Sequence, residues 1–154
     1  TNTANDEFAT YYIQKVIDAC KSMSMSKTGA LIVFAKTYEE QVFNNNGEVI
    51  DARISKRLLE AIFAKTSPIH DGAVVISEGL IRVASCILPL TENSEIPAQL
   101  GLRHRAAVGI TEQSDAIAII VSEETGFISY ASRGKVRTNI SLQELDRLLQ
   151  KDVA

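Results

Sequence analysis

Several segments of the chain carry apolar residues at the spacing of an amphipathic helix. The first covers 4–24, and its apolar positions are Phe8, Tyr12, Val16 and Ala19. A second helix is expected from Asp51, which has the character of an N-cap residue. A third is expected over 103–111. The last opens at Ser141, which has Glu144 three positions later as the partner of a capping box.

Short apolar runs bounded by turn residues predict the strands. The runs 30–34 and 116–121 are too continuously apolar for a sheet edge, so we expect them to be buried on both faces. The runs 73–77 and 80–88 are joined by Glu78-Gly79 and predict a hairpin. The remaining predicted strands are 127–131 and 136–138. Because helices and strands alternate, the expected fold is α/β, with a mixed central sheet surrounded by helices.

The sequence shows no internal repeat, linker or low-complexity tract. Its 154 residues match the usual size of one domain, so we expect a single domain over 1–154. That domain divides into an N-terminal amphipathic helix over about 4–24, a core over about 28–138 and a C-terminal helix over about 141–150.

Composition excludes several classes of protein. The chain is 45% hydrophobic and 23% charged, which is ordinary for a globular domain and too apolar for a disordered one. Its net charge is −3 (16 basic against 19 acidic residues), whereas a nucleic-acid binder usually carries a basic excess, so no nucleic-acid partner is expected. Cys20 and Cys86 are isolated, which favours a reducing compartment over a disulfide framework or a zinc site.

Two short motifs about thirty residues apart carry the candidate chemistry. His70-Asp71-Gly72-Ala73 leads into a predicted strand, and an acid beside a glycine suits a divalent cation or a hydroxyl that loses its proton. Gly101-Leu102-Arg103-His104-Arg105 opens a predicted helix, where arginines and free backbone N–H groups suit phosphate oxygens. Ser122-Glu123-Glu124 follows a buried strand and offers a hydroxyl and further carboxylates. Together these motifs favour a metal-bound nucleotide.

Each motif taken alone also has a structural interpretation. An Asp-Gly pair before a strand is most often a turn, and His70 could simply hydrogen-bond within its loop. An Arg-His-Arg triplet on an acidic protein is usually a solvated helix face, and Glu123-Glu124 is more often exposed turn charge. The functional interpretation therefore depends on the combination.

That combination resembles the diadenylate cyclase domain, the catalytic module of bacterial cyclic di-AMP synthases. The matching stretches occur in the family's order: Thr28-Gly29-Ala30-Leu31-Ile32, Asp71-Gly72-Ala73, Leu88-Pro89-Leu90, Gly101 to Ile110, and Ser122-Glu123-Glu124-Thr125-Gly126. The N-terminal helix leading into Thr28-Gly29-Ala30 looks most like the membrane-anchored type of this family. The resemblance therefore implies a cytoplasmic domain of a protein anchored at the cell membrane through segments outside this sequence.

The resemblance also implies roles for individual residues. Asp71, Arg103 and His104 would be catalytic, with Asp71 binding the cation and helping to activate a ribose 3′-hydroxyl. The metal surroundings would be Asp71, His70 and Glu124. The nucleotide-binding residues would be Gly72, Ala73, Leu88, Gly101, Leu102, Arg103, His104, Arg105, Ser122 and Glu124. Leu88 would contact adenine. The family often has threonine where this chain has Leu102, so no side-chain contact is carried onto Leu102 and an altered affinity is expected.

The implied activity is the condensation of two ATP into cyclic di-AMP and two pyrophosphates, with a divalent metal (Mn²⁺ or Mg²⁺, with Co²⁺ as a further candidate). A symmetric product from two identical substrates implies two domains facing each other, hence a homodimer or a higher assembly. The alternative from another class is a non-catalytic module that senses ATP or cyclic di-AMP. A metal hydrolase built on His70, Asp71 and His104 is a weaker third interpretation, because this order matches no hydrolase spacing.

Overall fold

One mixed β-sheet runs through the middle of the molecule, and helices cover both of its faces. The computed structural model describes residues 3–154. The helices and strands follow in chain order: α1 (Thr3–Ser26), β1 (Ala30–Phe34), α2 (Glu40–Phe43), a short 3₁₀ helix (Asn44–Asn46), β2 (Glu48–Arg53), α3 (Lys56–Phe63), β3 (Ala73–Ser77), β4 (Leu80–Cys86), α4 (Leu102–Gln113), β5 (Ile117–Val121), β6 (Ile128–Ser132), β7 (Lys135–Arg137) and α5 (Leu142–Asp152).

The strand order explains how the sheet is both parallel and antiparallel. It is β2-β4-β3-β1-β5-β6-β7, in which β1 and β3 are parallel and every other neighbouring pair is antiparallel. The predicted α/β fold with a mixed central sheet is confirmed. The predicted hairpin is also confirmed, since β3 and β4 pair across the turn at Glu78-Gly79.

The central strands β1, β3 and β5 are buried along their whole length, because their successive side chains enter two different cores. On one face, Ile32 and Phe34 pack with residues of α1, α3 and α5. On the other face, Leu31 and Val33 pack against α4. The two cores pack on both faces of the sheet, so the loops at the ends of its strands are attached to a rigid support.

Helix α1 ends in a Schellman motif, the hydrogen-bonded reversal that commonly terminates helices. Lys27 takes a left-handed conformation, with φ of 53°. Its N–H donates to the carbonyl of Ser24 at 3.3 Å, and the N–H of Thr28 donates to the carbonyl of Met23 at 2.8 Å. These bonds fix the chain where it enters β1.

One sequence prediction is wrong: Asp51 is not at the start of a helix. It lies in β2, with φ of 48°, and its carboxylate accepts a hydrogen bond from Arg82 on β4 at 2.8 Å. The N-cap of α3 is Ser55, whose hydroxyl accepts from the N–H of Leu58 at 3.0 Å. Strand β2 lies at the edge of the sheet and is mostly exposed, so it lacks the apolar pattern that reveals the buried strands.

Candidate active site

Three segments that carry the sequence motifs meet at one end of the central strands of the sheet. Parallel strands β1 and β3 both begin there, and β5, antiparallel to β1, ends there. Ile32 pairs with Val74, so the same register continued toward this end of the strands places Gly72 beside Ala30. Ala30 in turn pairs with Val121. The loop before β3, the start of β1 and the loop after β5 are therefore neighbours across three adjacent strands.

The N-terminus of helix α4 points at this end of the central strands. Gly101 is the N-cap, so Arg103 and His104 lie in the first turn with the free backbone N–H groups. His104 is 7% exposed. Burial, and secondarily the positive charge of Arg103, lowers the pKa of its imidazole, which is therefore neutral near neutral pH. On the side of the cleft, the turn thus offers the cation of Arg103, one neutral imidazole and a helix N-terminus.

Arg103 is the most constrained cation of the site. Its side chain is only 21% exposed, and its Nη1 lies 3.8 Å from a carboxylate oxygen of Glu123. The Nε atom is buried and has no hydrogen-bond partner among the described residues. A buried guanidinium donor is costly to leave unpaired, and it becomes favourable when an anion accepts from it.

A cleft of about 500 Å³ opens between the start of α4 and the loop after β5. Five of the predicted nucleotide-binding residues line it: Gly101, Arg103, His104, Ser122 and Glu124. Other lining residues were not predicted as site residues, including Pro97, Gln99, Leu100, Phe127, Ser129, Thr138 and Asn139. No sequence motif marks these residues, because they come from the loop after β4 and from around β6 and β7.

The loop after β5 is fixed by its own hydrogen bonds. The hydroxyl oxygen of Ser122 accepts from the N–H groups of Glu124 and Thr125, both at 3.2 Å. Gly126 has φ of 76°, and its carbonyl accepts from the hydroxyl of Ser24 at the end of α1. Since the oxygen of Ser122 is occupied as an acceptor, its O–H hydrogen remains available to donate to a ligand.

His70 and Asp71 form the second part of the candidate site. The Nδ1 of His70 lies 2.7 Å from the carbonyl oxygen of Ser67, so this nitrogen carries the hydrogen that is donated. Its Nε2 faces the carboxylate of Asp71 at 3.3 Å. The side chain of Asp71 is 82% exposed and projects away from the domain. An imidazole oriented by a carbonyl beside a carboxylate is an arrangement found at metal sites.

Three further predicted residues lie beside Asp71 but are buried or confined. Gly72 has φ of 81°, and a Cβ there would lie 2.7 Å from the carbonyl oxygen of Cys86, so the neighbouring strand β4 already requires glycine. Ala73 is fully buried, and Leu88 is 7% exposed in the core beneath α4. Of these residues, Gly72 and Ala73 have only backbone groups to offer a ligand.

Leu102 and Arg105 belong to the first turn of α4 but are not among the residues that line the cleft. Leu102 is 70% exposed. Arg105 makes a long contact of 3.5 Å from Nη2 to the carbonyl oxygen of Pro97. Both remain predicted nucleotide neighbours through their position beside Arg103 and His104.

The three predicted metal ligands do not come together. No group of three His, Cys, Asp or Glu side chains within residues 3–154 could hold a metal ion. His70 and Asp71 precede β3 whereas Glu124 follows β5, and β1 lies between these strands, a separation of about 10 Å at ordinary strand spacing. A cation at Asp71 would therefore need oxygens from a bound nucleotide or water, as Mg²⁺ commonly does.

Residues 17–136 match the family described as DisA bacterial checkpoint controller nucleotide-binding. The diadenylate cyclase CdaS of Bacillus thuringiensis is 40% identical over 141 residues, which cover 84% of this chain and 70% of that protein. The chain belongs to the diadenylate cyclase family. The cyclic di-AMP synthase CdaA of Bacillus subtilis is 37% identical over 140 residues, 91% of this chain and 51% of that protein. The resemblance seen in the sequence motifs is thereby confirmed.

Solved structures of similar sequence share the fold. The crystal structure of a double mutant of DacA from Staphylococcus aureus superposes with a TM-score of 0.89 and 44% identity, covering 92% of this chain and 95% of that one. A hypothetical membrane spanning protein from Bacillus cereus gives a TM-score of 0.78 at 39% identity, covering 83% of this chain and 63% of that one. The chain spans about half the length of several curated relatives, including CdaA and a diadenylate cyclase of Listeria monocytogenes.

Proposed function

We propose that this domain is a diadenylate cyclase that condenses two ATP molecules into cyclic di-AMP and two pyrophosphates. The observation that carries the proposal is that an exposed carboxylate and a cationic helix N-terminus lie at the same end of the central strands. Asp71 supplies the carboxylate, and Arg103 with His104 supplies the phosphate-binding side. The names of the family's curated members support the same chemistry.

The first turn of α4 and Ser122 would hold the phosphates. The buried Nε of Arg103 has no hydrogen-bond partner among the described residues, and the free N–H groups of the helix start add the positive end of the dipole. Neutral His104 donates or accepts one hydrogen bond without repelling Arg103. Negative charge grows on the transferring and leaving groups in the transition state, and donors fixed in advance stabilise it.

Asp71 would act at the ribose of the partner nucleotide. Each 3′-hydroxyl oxygen attacks the α-phosphorus of the other ATP, a P–O bond to the leaving pyrophosphate breaks, and two phosphodiester bonds form. The exposed carboxylate of Asp71 accepts the hydrogen bond of the incoming 3′-hydroxyl and favours the loss of its proton. The exposure of Asp71 suits this role, because the attacking 3′-hydroxyl would belong to the ATP bound by the other domain.

A divalent cation fits the residues around Asp71 as a partly substrate-bound ion. Asp71 and the Nε2 of His70 would hold it, with nucleotide oxygens completing its coordination, whereas Glu124 would serve the phosphate side of the cleft. When bound, the cation supplies charge stabilisation and orientation at the phosphates. We propose Mn²⁺ or Mg²⁺, with Co²⁺ as a further candidate.

The symmetry of the product requires two domains. One domain binds one ATP, so catalysis would occur in a homodimer or higher assembly that brings two sites face to face. The competing function is a nucleotide sensor that binds ATP or cyclic di-AMP without turnover. Retention of Asp71 with Arg103 and His104 favours the enzyme, since a sensor has no need of an activating carboxylate.

Analysis of reaction products separates these functions. We expect the protein incubated with ATP and Mn²⁺ or Mg²⁺ to yield cyclic di-AMP and pyrophosphate in a ratio of about one to two, resolved by chromatography. Asp71→Asn keeps the shape of an exposed side chain, so the fold should persist while product formation falls by about a hundredfold or more. Binding of ATP without any product would identify a sensor, and near-normal synthesis by Asp71→Asn would remove the role given to Asp71.

We also propose that the full-length protein is anchored at the membrane and that this domain faces the cytoplasm. Among the helices of residues 3–154, none is long and apolar enough to cross a bilayer. The similarity to the membrane spanning protein of Bacillus cereus supports an anchor elsewhere in the full-length protein. Fractionation of cells that express the full-length protein tests this proposal.

A further inference from the structure

The guanidinium of Arg103 lies directly over the backbone of Gly29. A Cβ atom built on Gly29 would be 2.5 Å from Nη1, 2.7 Å from Cζ and 3.2 Å from Nη2 of Arg103, and these are its three nearest atoms. Real carbon contacts are optimal at about 3.5–4.0 Å. The guanidinium therefore occupies the space that any other residue at position 29 would fill with its side chain.

The backbone itself does not demand glycine at this position. Gly29 is not among the residues with positive φ, unlike Gly72 and Gly126. An alanine there would cost no backbone strain. The closest neighbour of a side chain at Gly29 is thus Arg103, whose guanidinium supplies the three nearest atoms.

The backbone of Gly29 is also the less mobile partner of this contact. Thr28 is held by its hydrogen bond to Met23 in the motif that ends α1, and Ala30 is already part of the buried strand β1. Arg103, by contrast, ends in a flexible side chain. A methyl group at position 29 would therefore displace the guanidinium by roughly 1 Å and leave the strand in place.

Packing, more than hydrogen bonding, holds Arg103 in its present place. Its Nε has no partner among the described residues, and Glu123 at 3.8 Å is within ion-pair range but beyond a hydrogen bond. The carboxylate of Glu123 is 60% exposed, so its attraction is weakened by solvent. The guanidinium donors therefore stay available, and the flat surface of Gly29 fixes where they lie.

We propose that Gly29 is a positioning residue that sets the location of Arg103 and thereby the grip of the domain on nucleotide phosphates. The inference rests on the proposed function, because it takes the anion held by Arg103 to be the phosphate of ATP. A displacement of about 1 Å in a positioned group is enough to weaken both binding and catalysis substantially.

A double-mutant cycle tests the inference with Gly29→Ala, Arg103→Ala and the double variant. For each protein, calorimetry gives the Kd for ATP and for adenosine, and thermal unfolding gives the Tm. We expect Gly29→Ala to weaken ATP binding about tenfold, to leave adenosine binding within about twofold, and to keep the Tm near that of the wild type. In the Arg103→Ala background the clash is gone, so adding Gly29→Ala should change the Kd for ATP by less than about twofold.

Two results would overturn the inference. One is an ATP affinity of Gly29→Ala equal to the wild type while Arg103→Ala loses affinity for ATP selectively. The other is an equal loss from Gly29→Ala in both backgrounds, since Gly29 would then act without Arg103. If the wild type binds ATP and the cycle holds but no cyclic di-AMP forms, the proposed function fails and the positioning role of Gly29 stands.

If Gly29→Ala does not fold, a second pair of variants, Arg103→Lys and Gly29→Ala/Arg103→Lys, tests the same inference. Lysine at position 103 ends in one ammonium group on a flexible stem and lacks the two Nη atoms of the guanidinium, so it can turn away from the added methyl group at little cost. We expect Gly29→Ala/Arg103→Lys to bind ATP as tightly as Arg103→Lys alone. A further tenfold loss in that double variant would contradict the inference.

Discussion

Leu102 occupies the first turn of α4 beside Arg103, and its apolar side chain is 70% exposed. It has no group that binds phosphate, although its backbone N–H points from the helix start. We expect Leu102→Thr to tighten ATP binding by about three- to tenfold, because a hydroxyl adds a hydrogen bond to a charged ligand at a solvent-exposed position. Affinity for adenosine should stay unchanged. Calorimetry with both ligands measures the difference.

Leu102→Val is the matched control for this substitution. Valine has the shape of threonine without the hydroxyl, so it reports the effect of shortening and branching the side chain alone. The prediction is contradicted if both variants shift ATP affinity equally, since the change would then come from removing leucine.

The sequence predicts which residue types the candidate site contains, but it does not predict the contacts between them. Asp71, Arg103 and Ser122 were recognisable because each stands in a short motif beside a strand or helix end. The contact between Gly29 and Arg103 was not, because the two residues are distant in sequence and meet only when α4 lies beside the start of β1. The set of His70, Asp71 and Glu124 was drawn from separate loops, and the sheet keeps those loops two strands apart.

Helix α5 begins with the predicted cap at Ser141, whose hydroxyl accepts from the N–H of Glu144 at 3.0 Å. The carboxylate of Glu144 accepts hydrogen bonds from Arg147 in the same helix and from Arg137 on β7. Hydrogen bonds from Arg147 and then Arg137 lower the pKa of Glu144 to about 2. These contacts join the last strand to the last helix.

A depressed carboxyl pKa makes the stability of the fold depend on pH in one direction. The stabilisation from Glu144 is present above its ordinary pKa and is lost as the pH falls through about 4.5 toward about 2. We therefore expect the wild type to be more stable than Glu144→Gln near neutral pH, and the difference to shrink on acidification. Urea unfolding at about pH 7 and about pH 3 measures it.

Glu92→Gln provides the comparison for a simple loss of charge, because Glu92 is exposed on the loop after β4 and has no ion pair among the described residues. Its stability difference from the wild type should stay small at both pH values. A constant difference between the wild type and Glu144→Gln from neutral to acidic pH would contradict the account of α5.

At the scale of elements, burial decided what the sequence could predict. The strands β1, β3 and β5 are buried on both faces and appear as continuous apolar runs. Strand β2 is mostly exposed and contains Asp51 in a left-handed conformation, so it shows no strand pattern, and the prediction of a helix start at Asp51 is wrong. An edge strand paired on one side needs few apolar residues, which is why its pattern is weak.

In the whole molecule, the central strands separate two parts of the candidate site. The cleft beside α4 is partly enclosed and is lined by Arg103, His104 and Ser122. Asp71 lies outside that cleft and faces solvent. Under the proposed function, such a domain would bind a triphosphate by itself, and the exposed carboxylate of Asp71 would act on a nucleotide that a second domain holds.

The most direct test of this account measures activity and ATP binding together across protein concentration. We expect the specific rate of cyclic di-AMP formation to rise with protein concentration in the dilute range and to level off as dimers saturate. The Kd for ATP per chain should change little over the same range, since the phosphate contacts come from one domain. Sedimentation run beside the assay should show that activity follows the dimer fraction. A stable monomer whose specific activity stays constant over about a hundredfold dilution would contradict a reaction between two facing domains.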